Sequence, residues 1–150
     1  MNIELSKEQL ANIIRATCIA TDIIGLISDM VSEDYKKRYE EIEELKKYLL
    51  NCAEKNGYNQ MFDYYNGHII TGDYITWETD EIGQEYDEFI FWDELEHRLA
   101  IRDMDKTLSK KEKEEIFKDY SLYLKKLDEF SQKYSQEFEK YGVGRLEIKE

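Results

Sequence analysis

The chain has no proline and only two cysteines and two histidines. Two cysteines are too few for a disulfide framework, so a reducing cytoplasm is the expected setting, with Cys18 and Cys52 as buried thiols. The absence of proline, together with abundant Lys, Ile, Tyr, Asn and Glu, is typical of AT-rich codon usage in low-GC bacteria and their phages. The start, Met1 to Glu4, has no basic segment followed by an apolar stretch, so no secretory signal is expected.

Recognisable catalytic motifs are also lacking. There is no Gly-x-Ser-x-Gly, no phosphate-binding glycine loop and no Cys-x-x-Cys, and neither cysteine has a histidine nearby in sequence. One Glu-x-x-His element, Glu94 to His97, stands beside Asp93, and a metal-dependent enzyme built on these residues is an alternative. Dimetal helix bundles need a second such element, which His68 does not supply. The sequence therefore predicts a protein that is not an enzyme and has no metal or cofactor.

Length and composition favour a single compact domain. A chain of 150 residues can remove roughly 70% of its unfolded surface from water. A hydrophobic content of 41% argues against disorder, while 37% charged residues and a net charge of −13 indicate a heavily ionised surface. The most apolar segment, 13–31, is interrupted by charged and hydroxyl side chains, so it is interpreted as a core helix rather than a membrane span.

Positive charge is missing from one long stretch. Between Asn56 and His97 there is no lysine or arginine, while eleven carboxylates occur there. They are Asp63, Asp73, Glu78, Asp80, Glu81, Glu85, Asp87, Glu88, Asp93, Glu94 and Glu96. The same stretch holds both tryptophans, Trp77 and Trp92. A surface of one sign that also carries aromatic rings repels nucleic acid and anionic membranes and attracts a basic protein.

Capping signals place the helices. Ser6 with Gln9 forms a capping box that starts the first helix, and Ser32 can cap a second helix that ends at Asn56-Gly57. A third helix is expected over about 86–104. A second capping box, Ser109 with Glu112, opens a last helix that runs to Tyr141.

The acidic stretch begins with β character. Asn66-Gly67 predicts a type I′ hairpin between strands at 61–65 and 68–71, followed by a third strand at 74–77. The segment 78–88 is interpreted as an acidic loop with Gly83 at its tip. The expected fold is mainly α with a small β meander (α+β) and about four helices. A helical scaffold at 6–56 and 109–141 would carry an acidic aromatic insert at 58–105, all within one domain, 1–150.

Two further contacts follow from the predicted elements. The last helix would be about 48 Å long, whereas a domain of this size is about 40 Å across, so the helix must overhang, bend or meet a second subunit. A homodimer is therefore an alternative, with its interface on the aromatic stripe of that helix: Tyr120, Tyr123, Leu127, Phe130 and Tyr134. The tail 145–148 alternates like a short strand and could pair with 2–5.

Two runs near the end of the chain carry a resemblance. They are Phe91-Trp92-Asp93-Glu94-Leu95 with Arg98-Leu99-Ala100 and Arg102-Asp103, and Glu137-Phe138-Glu139 leading into Gly142-Val143 and Leu146. The two runs cover about a third of the chain. They resemble short uncharacterised proteins encoded by phages and mobile elements of low-GC bacteria. Small acidic phage proteins include inhibitors of host defence nucleases, among them anti-CRISPR proteins, and this analogy implies an inhibitor.

Taken together, the residues predict a cytoplasmic protein that binds a basic bacterial protein, such as a nucleic-acid-binding nuclease or complex, and neither nucleic acid nor a membrane directly. The expected partner-binding residues are Asp73, Trp77, Glu78, Asp80, Glu81, Glu85, Asp87 and Glu88. Trp77 is expected to be exposed and Trp92 to belong to the core. The alternative is that the carboxylates only keep the protein soluble.

Overall fold

The computed structural model describes residues 3–30 and 32–147. Helices account for 77% of it and accompany a two-stranded antiparallel sheet, which confirms the α+β class. In chain order the elements are α1 (Lys7–Met30), α2 (Glu33–Lys55), β1 (Phe62–Tyr65), β2 (His68–Thr71), α3 (Asp73–Thr107), α4 (Lys110–Ile116) and α5 (Tyr120–Tyr141). The described residues thus form five helices rather than about four.

The chain separates into two compact units, Met1–Glu85 and Tyr86–Glu150. The first unit holds α1, α2, the hairpin and the beginning of α3. The second holds the rest of α3 with α4 and α5. The insert expected at 58–105 does not correspond to either unit.

Helix α1 begins as the sequence predicts. The Gln9 N–H donates to Ser6 Oγ (3.2 Å), and the Ser6 N–H donates to Gln9 Oε1 (2.9 Å), so the capping box is formed. One side of α1 joins the buried core of the first unit, which includes Leu10, Ile14, Cys18, Leu49, Leu50, Ala53, Met61 and Ile75. By length and composition alone, Lys7–Ser28 is also apolar enough to cross a membrane. Its core residues nevertheless pack against α2 and the hairpin region, as in a core helix.

The hairpin forms at the predicted turn. Asn66 and Gly67 have φ angles of 50° and 78°, the positive values that both central residues of a type I′ turn require. The strands pair from Tyr65 opposite His68 to Phe62 opposite Thr71. The Asn-Gly signal therefore set both the turn and the register of the sheet.

The predicted third strand and acidic loop are wrong, because both segments belong to α3. Glycine is needed at position 72 because the backbone of Gln60 lies very close to it, and not because another hairpin turn forms there. A Cβ on residue 72 would lie 2.7 Å from the Gln60 carbonyl oxygen. The Gly72 carbonyl accepts from the Ile75 and Thr76 N–H groups and so starts the helix. The residues that follow are rich in glutamate, a good helix former, and Gly83 lies inside the helix rather than at a loop tip.

The predicted last helix is two helices. The Ser109 and Glu112 capping box is present and opens α4, but the helix stops at Ile116. Asp119 then caps α5, because its carboxylate accepts from the N–H groups of Ser121 (2.9 Å) and Leu122 (3.4 Å). Helix α5 has 22 residues, about 33 Å at 1.5 Å per residue. The length argument for a second subunit therefore no longer applies.

The cysteines and the termini complete the comparison. Cys18 and Cys52 are both free thiols; Cys18 is buried as predicted, whereas Cys52 is only half-buried. The expected pairing of 2–5 with 145–148 falls partly outside the described residues. Within the described parts, 3–5 and 145–147 contain no strand.

Candidate protein-docking face

The carboxylates of the acidic stretch lie mainly on one helix. Apart from Asp63 on β1, all of them are residues of α3. A helix fixes side-chain directions by residue spacing, since positions three and four apart share a face. The charge is therefore presented from a regular scaffold rather than from the loop that the sequence suggested.

The first turns of α3 have one buried and one exposed side. Ile75 and Thr79 are buried in the first unit. Trp77 lies two positions from each, on the opposite side of the helix, and its side chain is 75% exposed. The prediction that Trp77 is exposed is confirmed, and the buried pair holds its helix turn in place.

Three carboxylates share the exposed side with Trp77. Asp73 precedes it by four positions, and Asp80 and Glu81 follow it by three and four, so all three flank the indole. Each of them is exposed. We call these four residues, Asp73, Trp77, Asp80 and Glu81, the Trp77 face. All of them belong to the first unit.

Glu78 does not belong to this face. Its Oε2 lies 2.5 Å from Arg15 Nε of α1, and the Arg15 guanidinium also lies over the Tyr74 ring at 5.5 Å. The pKa of Glu78 is lowered chiefly by a hydrogen bond from the Tyr74 hydroxyl and, to a smaller extent, by the bond from Arg15. Glu78 was a predicted partner-binding residue, but its carboxylate is already bound within the first unit.

The remaining predicted partner-binding residues are divided between the two units. Glu85 follows Glu81 by one helical turn and is exposed. Asp87 and Glu88 belong to the second unit, where Glu88 accepts a hydrogen bond from Trp92 Nε1 at 2.6 Å. Of the eight residues, the structure places Asp73, Trp77, Asp80 and Glu81 together on one face.

Neutralisation of the acidic stretch is limited. Among the residues that the structure describes, only Glu78 and Glu94 of these carboxylates form ion pairs, with Arg15 (2.5 Å) and Arg98 (2.9 Å). No ion pair within the described ranges involves a carboxylate of the Trp77 face. The negative charge of the face is therefore not neutralised by the ion pairs of the described ranges.

Trp92 lies in the second unit and is only half-buried. Its ring lies 5.3 Å from the buried Phe138 ring and 4.9 Å from Phe91, measured between centroids. Trp92 was predicted to belong to the core. This prediction holds in part, because one side of the indole packs on α5. Trp92 consequently belongs to the packing of the second unit rather than to the exposed face.

A charged cluster in the second unit escaped the sequence analysis. Asp103 accepts hydrogen bonds from Lys133 Nζ (2.5 Å) and from the Tyr134 hydroxyl, and Arg102 lies 3.0 Å away. The bonds from Lys133 and Tyr134 hold the pKa of Asp103 well below its usual range. The sequence contained one sign of this cluster: Asp103 follows Leu99 by one helical turn, so it lies on the inward stripe of α3. The cluster joins α3 to α5.

The predicted dimer stripe is largely engaged within the second unit. Tyr123 stacks on Phe117 (5.7 Å) and Tyr120 (6.2 Å), and Tyr134 bonds to the Asp103 cluster. Leu127 and Phe130 are half-buried, whereas Tyr120 is 73% exposed. Only Tyr120 of the five predicted interface residues therefore keeps most of its surface open.

The residues of the weak metal pattern do not assemble either. Glu94 is bonded to Arg98, four positions later on α3. Among the side chains that the structure describes, no group of three or more His, Cys, Asp or Glu could hold a metal ion.

Comparison with known proteins adds no assignment to this geometry. No family model, no curated protein and no solved structure matches the chain.

Proposed function

We propose that the chain is an acidic, non-enzymatic binding protein from a phage or mobile element, acting as an inhibitor in the host cytoplasm. Its Trp77 face would dock on a basic, nucleic-acid-binding surface of a bacterial protein. The observation that carries the proposal is a tryptophan, 75% exposed, on a helix turn whose opposite side is buried, with the carboxylates of Asp73, Asp80 and Glu81 around it.

The exposed ring favours docking over simple solubility. Carboxylates alone would keep a protein soluble, and an exposed indole adds nothing to that property. At protein interfaces, tryptophan is among the residues that contribute most binding energy. An indole flanked by carboxylates suits an arginine, whose guanidinium can stack on the ring while pairing with an acid.

The sign of the charge favours a nucleic-acid-binding partner over nucleic acid itself. Phosphate neutralisation dominates the affinity of nucleic-acid-binding proteins, so their grooves are rich in lysine and arginine. Carboxylates on a helix can occupy such a groove and exclude the nucleic acid. The resulting complex should weaken as salt is added, because salt screens the attraction.

The test compares two variants that lose the same charge at different places. In the first, Asp73→Asn, Asp80→Asn and Glu81→Gln remove the carboxylates of the Trp77 face. In the matched control, Glu40→Gln, Glu44→Gln and Glu139→Gln remove exposed carboxylates from α2 and α5. Each protein is immobilised and exposed to a low-GC bacterial lysate at low salt, and bound proteins are eluted with rising salt.

We expect a basic protein to be retained by the wild type and the control and to be lost by the face variant. The eluted protein, once loaded with nucleic acid, should then release it when the wild-type chain is added in excess. Equal retention by all three baits would show that the Trp77 face has no special role. Equal loss from both variants would show that net charge alone causes retention.

Two exposed rings where α4 ends and α5 begins favour one alternative. Phe117 and Tyr120 are 71% and 73% exposed, as they would be at an unfilled subunit interface. In this alternative the chain is a homodimeric regulatory protein with a solvating acidic surface. Light scattering of the Tyr120→Ser variant distinguishes the two, because a chain that is monomeric with and without the substitution eliminates this interface.

A further inference from the structure

Strand β2 has one edge without a partner strand. Tyr65 and His68 flank the two-residue turn and therefore form the first hydrogen-bonded pair of the hairpin. Bonded and non-bonded pairs alternate along an antiparallel ladder, so the N–H and C=O groups of Ile69 and Thr71 point away from β1. These two residues offer two donors and two acceptors, spaced by about 6.8 Å along the strand. We call these groups the free edge of β2.

Two other hydrogen bonds agree with this alternation. The Gly72 N–H donates to the Met61 carbonyl oxygen (3.1 Å), as the next bonded pair requires. The Tyr64 N–H, opposite Ile69, donates to Asp63 Oδ1 (2.7 Å) rather than across the sheet. Within the described ranges, no backbone group outside the hairpin bonds to either residue of the free edge. A further strand along this edge would therefore extend the ladder.

The free edge also borders a groove. The groove lies between β2 and α2, and its volume is about 550 Å³. Leu50, which is buried, and Ile69 form the apolar part of its wall, while Thr71 and Thr76 add hydroxyl groups. Concave sites of several hundred Å³ with apolar walls and a few polar groups are typical of ligand-binding sites. All of the lining residues belong to the first unit.

The charge of the groove differs from that of the chain as a whole. Lys46 and Lys47 of α2 line it together with Glu43. Lys46 is bound to Glu43, whereas no ion pair among the described residues involves Lys47, which is exposed. Exposed charges more than about 8 Å away are largely screened at physiological salt, so Lys47 dominates the field that a bound group experiences. The groove therefore favours a ligand with a carboxylate near Lys47.

We propose that the groove binds an extended peptide segment of another protein, which adds a strand to the free edge of β2 and places one carboxylate side chain against Lys47. In this mode of recognition, main-chain hydrogen bonds supply affinity and alternate side chains supply specificity. Aliphatic side chains of the segment cover Leu50 and Ile69. The proposal does not depend on the Trp77 face, because the two surfaces take ligands of opposite charge.

The free edge selects a peptide over other occupants. Its two carbonyl groups need donors as well as its N–H groups needing acceptors, and a peptide main chain supplies both in the same alternation. A nucleic-acid backbone presents phosphate oxygens, which only accept. A second copy could offer its own free edge, but that edge is bordered by its own α2, so two α2 helices would compete for the space of one groove.

Titration of the isotope-labelled full chain, followed by two-dimensional NMR, is the primary test. The probe is the blocked heptapeptide acetyl-Val-Thr-Val-Glu-Val-Thr-Val-amide, which is extended in character and carries a single carboxylate. We expect saturable binding with a Kd below about 1 mM. The amide signals of Ile69 and Thr71 should shift as their N–H groups become hydrogen-bonded, while those of Tyr64 and Phe62, on the other edge of the hairpin, should change little.

Two modified peptides test the strand pairing without altering the protein. In one peptide the valines are N-methylated, and in the other the three residues between them are. Alternate N–H groups of a strand point to opposite edges, so only one of the two patterns removes the donors that face β2. That peptide should bind roughly tenfold more weakly than the other, because it loses at least two hydrogen bonds of about 0.5–1.5 kcal/mol each.

A charge reversal tests the role of Lys47. The variant Lys47→Glu should bind the probe severalfold more weakly, since an attraction across an exposed pair becomes a repulsion. The matched control, Lys36→Glu, makes the same change in net charge at an exposed position of α2 and should bind like the wild type. Replacing the glutamate of the probe by lysine should reverse the order of the two variants.

Four outcomes would overturn the proposal. Absence of binding, or shifts that leave Ile69 and Thr71 unchanged, removes the added strand. Equal weakening by the two N-methylation patterns removes the backbone pairing. A single-stranded oligonucleotide that shifts the same two amides when the peptide does not would assign the groove to phosphate. Shifts of these amides on concentrating the chain alone would assign the free edge to a second copy.

Discussion

Glu78 and Asp80 are close in sequence, but their carboxylates have different surroundings. Glu78 is bound by Arg15, which lies 63 positions away in the chain. No ion pair among the described residues involves Asp80. The sequence could not separate the two residues, because the difference depends on a tertiary contact between α1 and α3 rather than on helical spacing.

This difference predicts opposite effects for two conservative substitutions. Glu78→Gln removes the acceptor of Arg15 and should lower the melting temperature while leaving partner binding nearly unchanged. Asp80→Asn should leave the melting temperature unchanged and slow association with the partner. Thermal melts and binding rates measured on the two variants decide the matter; a binding defect confined to Glu78→Gln would contradict this assignment.

Asp103 gives a residue-scale prediction about pH. Because its pKa is lowered in the folded state, its contribution to stability is present above its unfolded pKa of about 3.9 and is lost as the pH falls towards the folded value. At neutral pH, Asp103→Asn should destabilise the second unit by about 1.5–3 kcal/mol, the usual contribution of hydrogen bonds to a charged group. Urea unfolding followed by the fluorescence of Trp92, in a chain whose other tryptophan is removed by Trp77→Phe, measures this change.

The control for this prediction is Asp128→Asn, which changes an exposed carboxylate of α5. The difference between the Asp103 variant and the wild type should shrink below about pH 4, where the unfolded carboxyl group becomes protonated. If the difference in the free energy of unfolding stays constant over the acidic range, the cluster stabilises the unit through side-chain packing rather than through charge.

At the scale of elements, the sequence predicted those features that depend on local chemistry. The capping boxes at Ser6 and Ser109 and the turn at Asn66-Gly67 form as expected, because each is specified by residues within a few positions. The break at Asp119 was missed because apolar spacing continues across it, from Ile116 to Tyr120 and Tyr123. A capping aspartate was the only local sign that a new helix begins.

The start of α3 was missed for a related reason. Gly72 and Gly83 resemble turn residues in the sequence, but one allows close backbone packing and the other lies within the helix. The four residues of the Trp77 face were all predicted as partner-binding residues. Their arrangement around the indole could not be predicted, because it requires the segment to be helical rather than a strand followed by a loop.

Gly83 provides the element-scale test of this correction. A Cβ at this position would meet no heavy atom within 4 Å, and Gly83 is not among the described glycines with positive φ. In a helix, Gly83→Ala should therefore increase the free energy of unfolding by about 0.4–1 kcal/mol. Chemical denaturation measures the change, with Gly67→Ala as a control that should destabilise because of its positive φ.

At the scale of the whole molecule, the net charge of −13 should act on the docking of a basic partner. Salt screens the attraction between opposite charges, so the affinity for the partner should fall as salt is added. A salt series on the wild-type protein with its partner measures this trend. An affinity that does not change with salt would contradict docking driven by charge.

The most direct test of the account is the rate at which the captured partner associates with the chain across a salt series. For the variant with Asp73→Asn, Asp80→Asn and Glu81→Gln, we predict association at least about tenfold slower at low salt and a flatter salt dependence, because steering charge has been removed. Trp77→Ala should chiefly speed dissociation, since it removes an anchoring ring. Association rates equal to those of the Glu40, Glu44 and Glu139 control at every salt concentration would contradict the account.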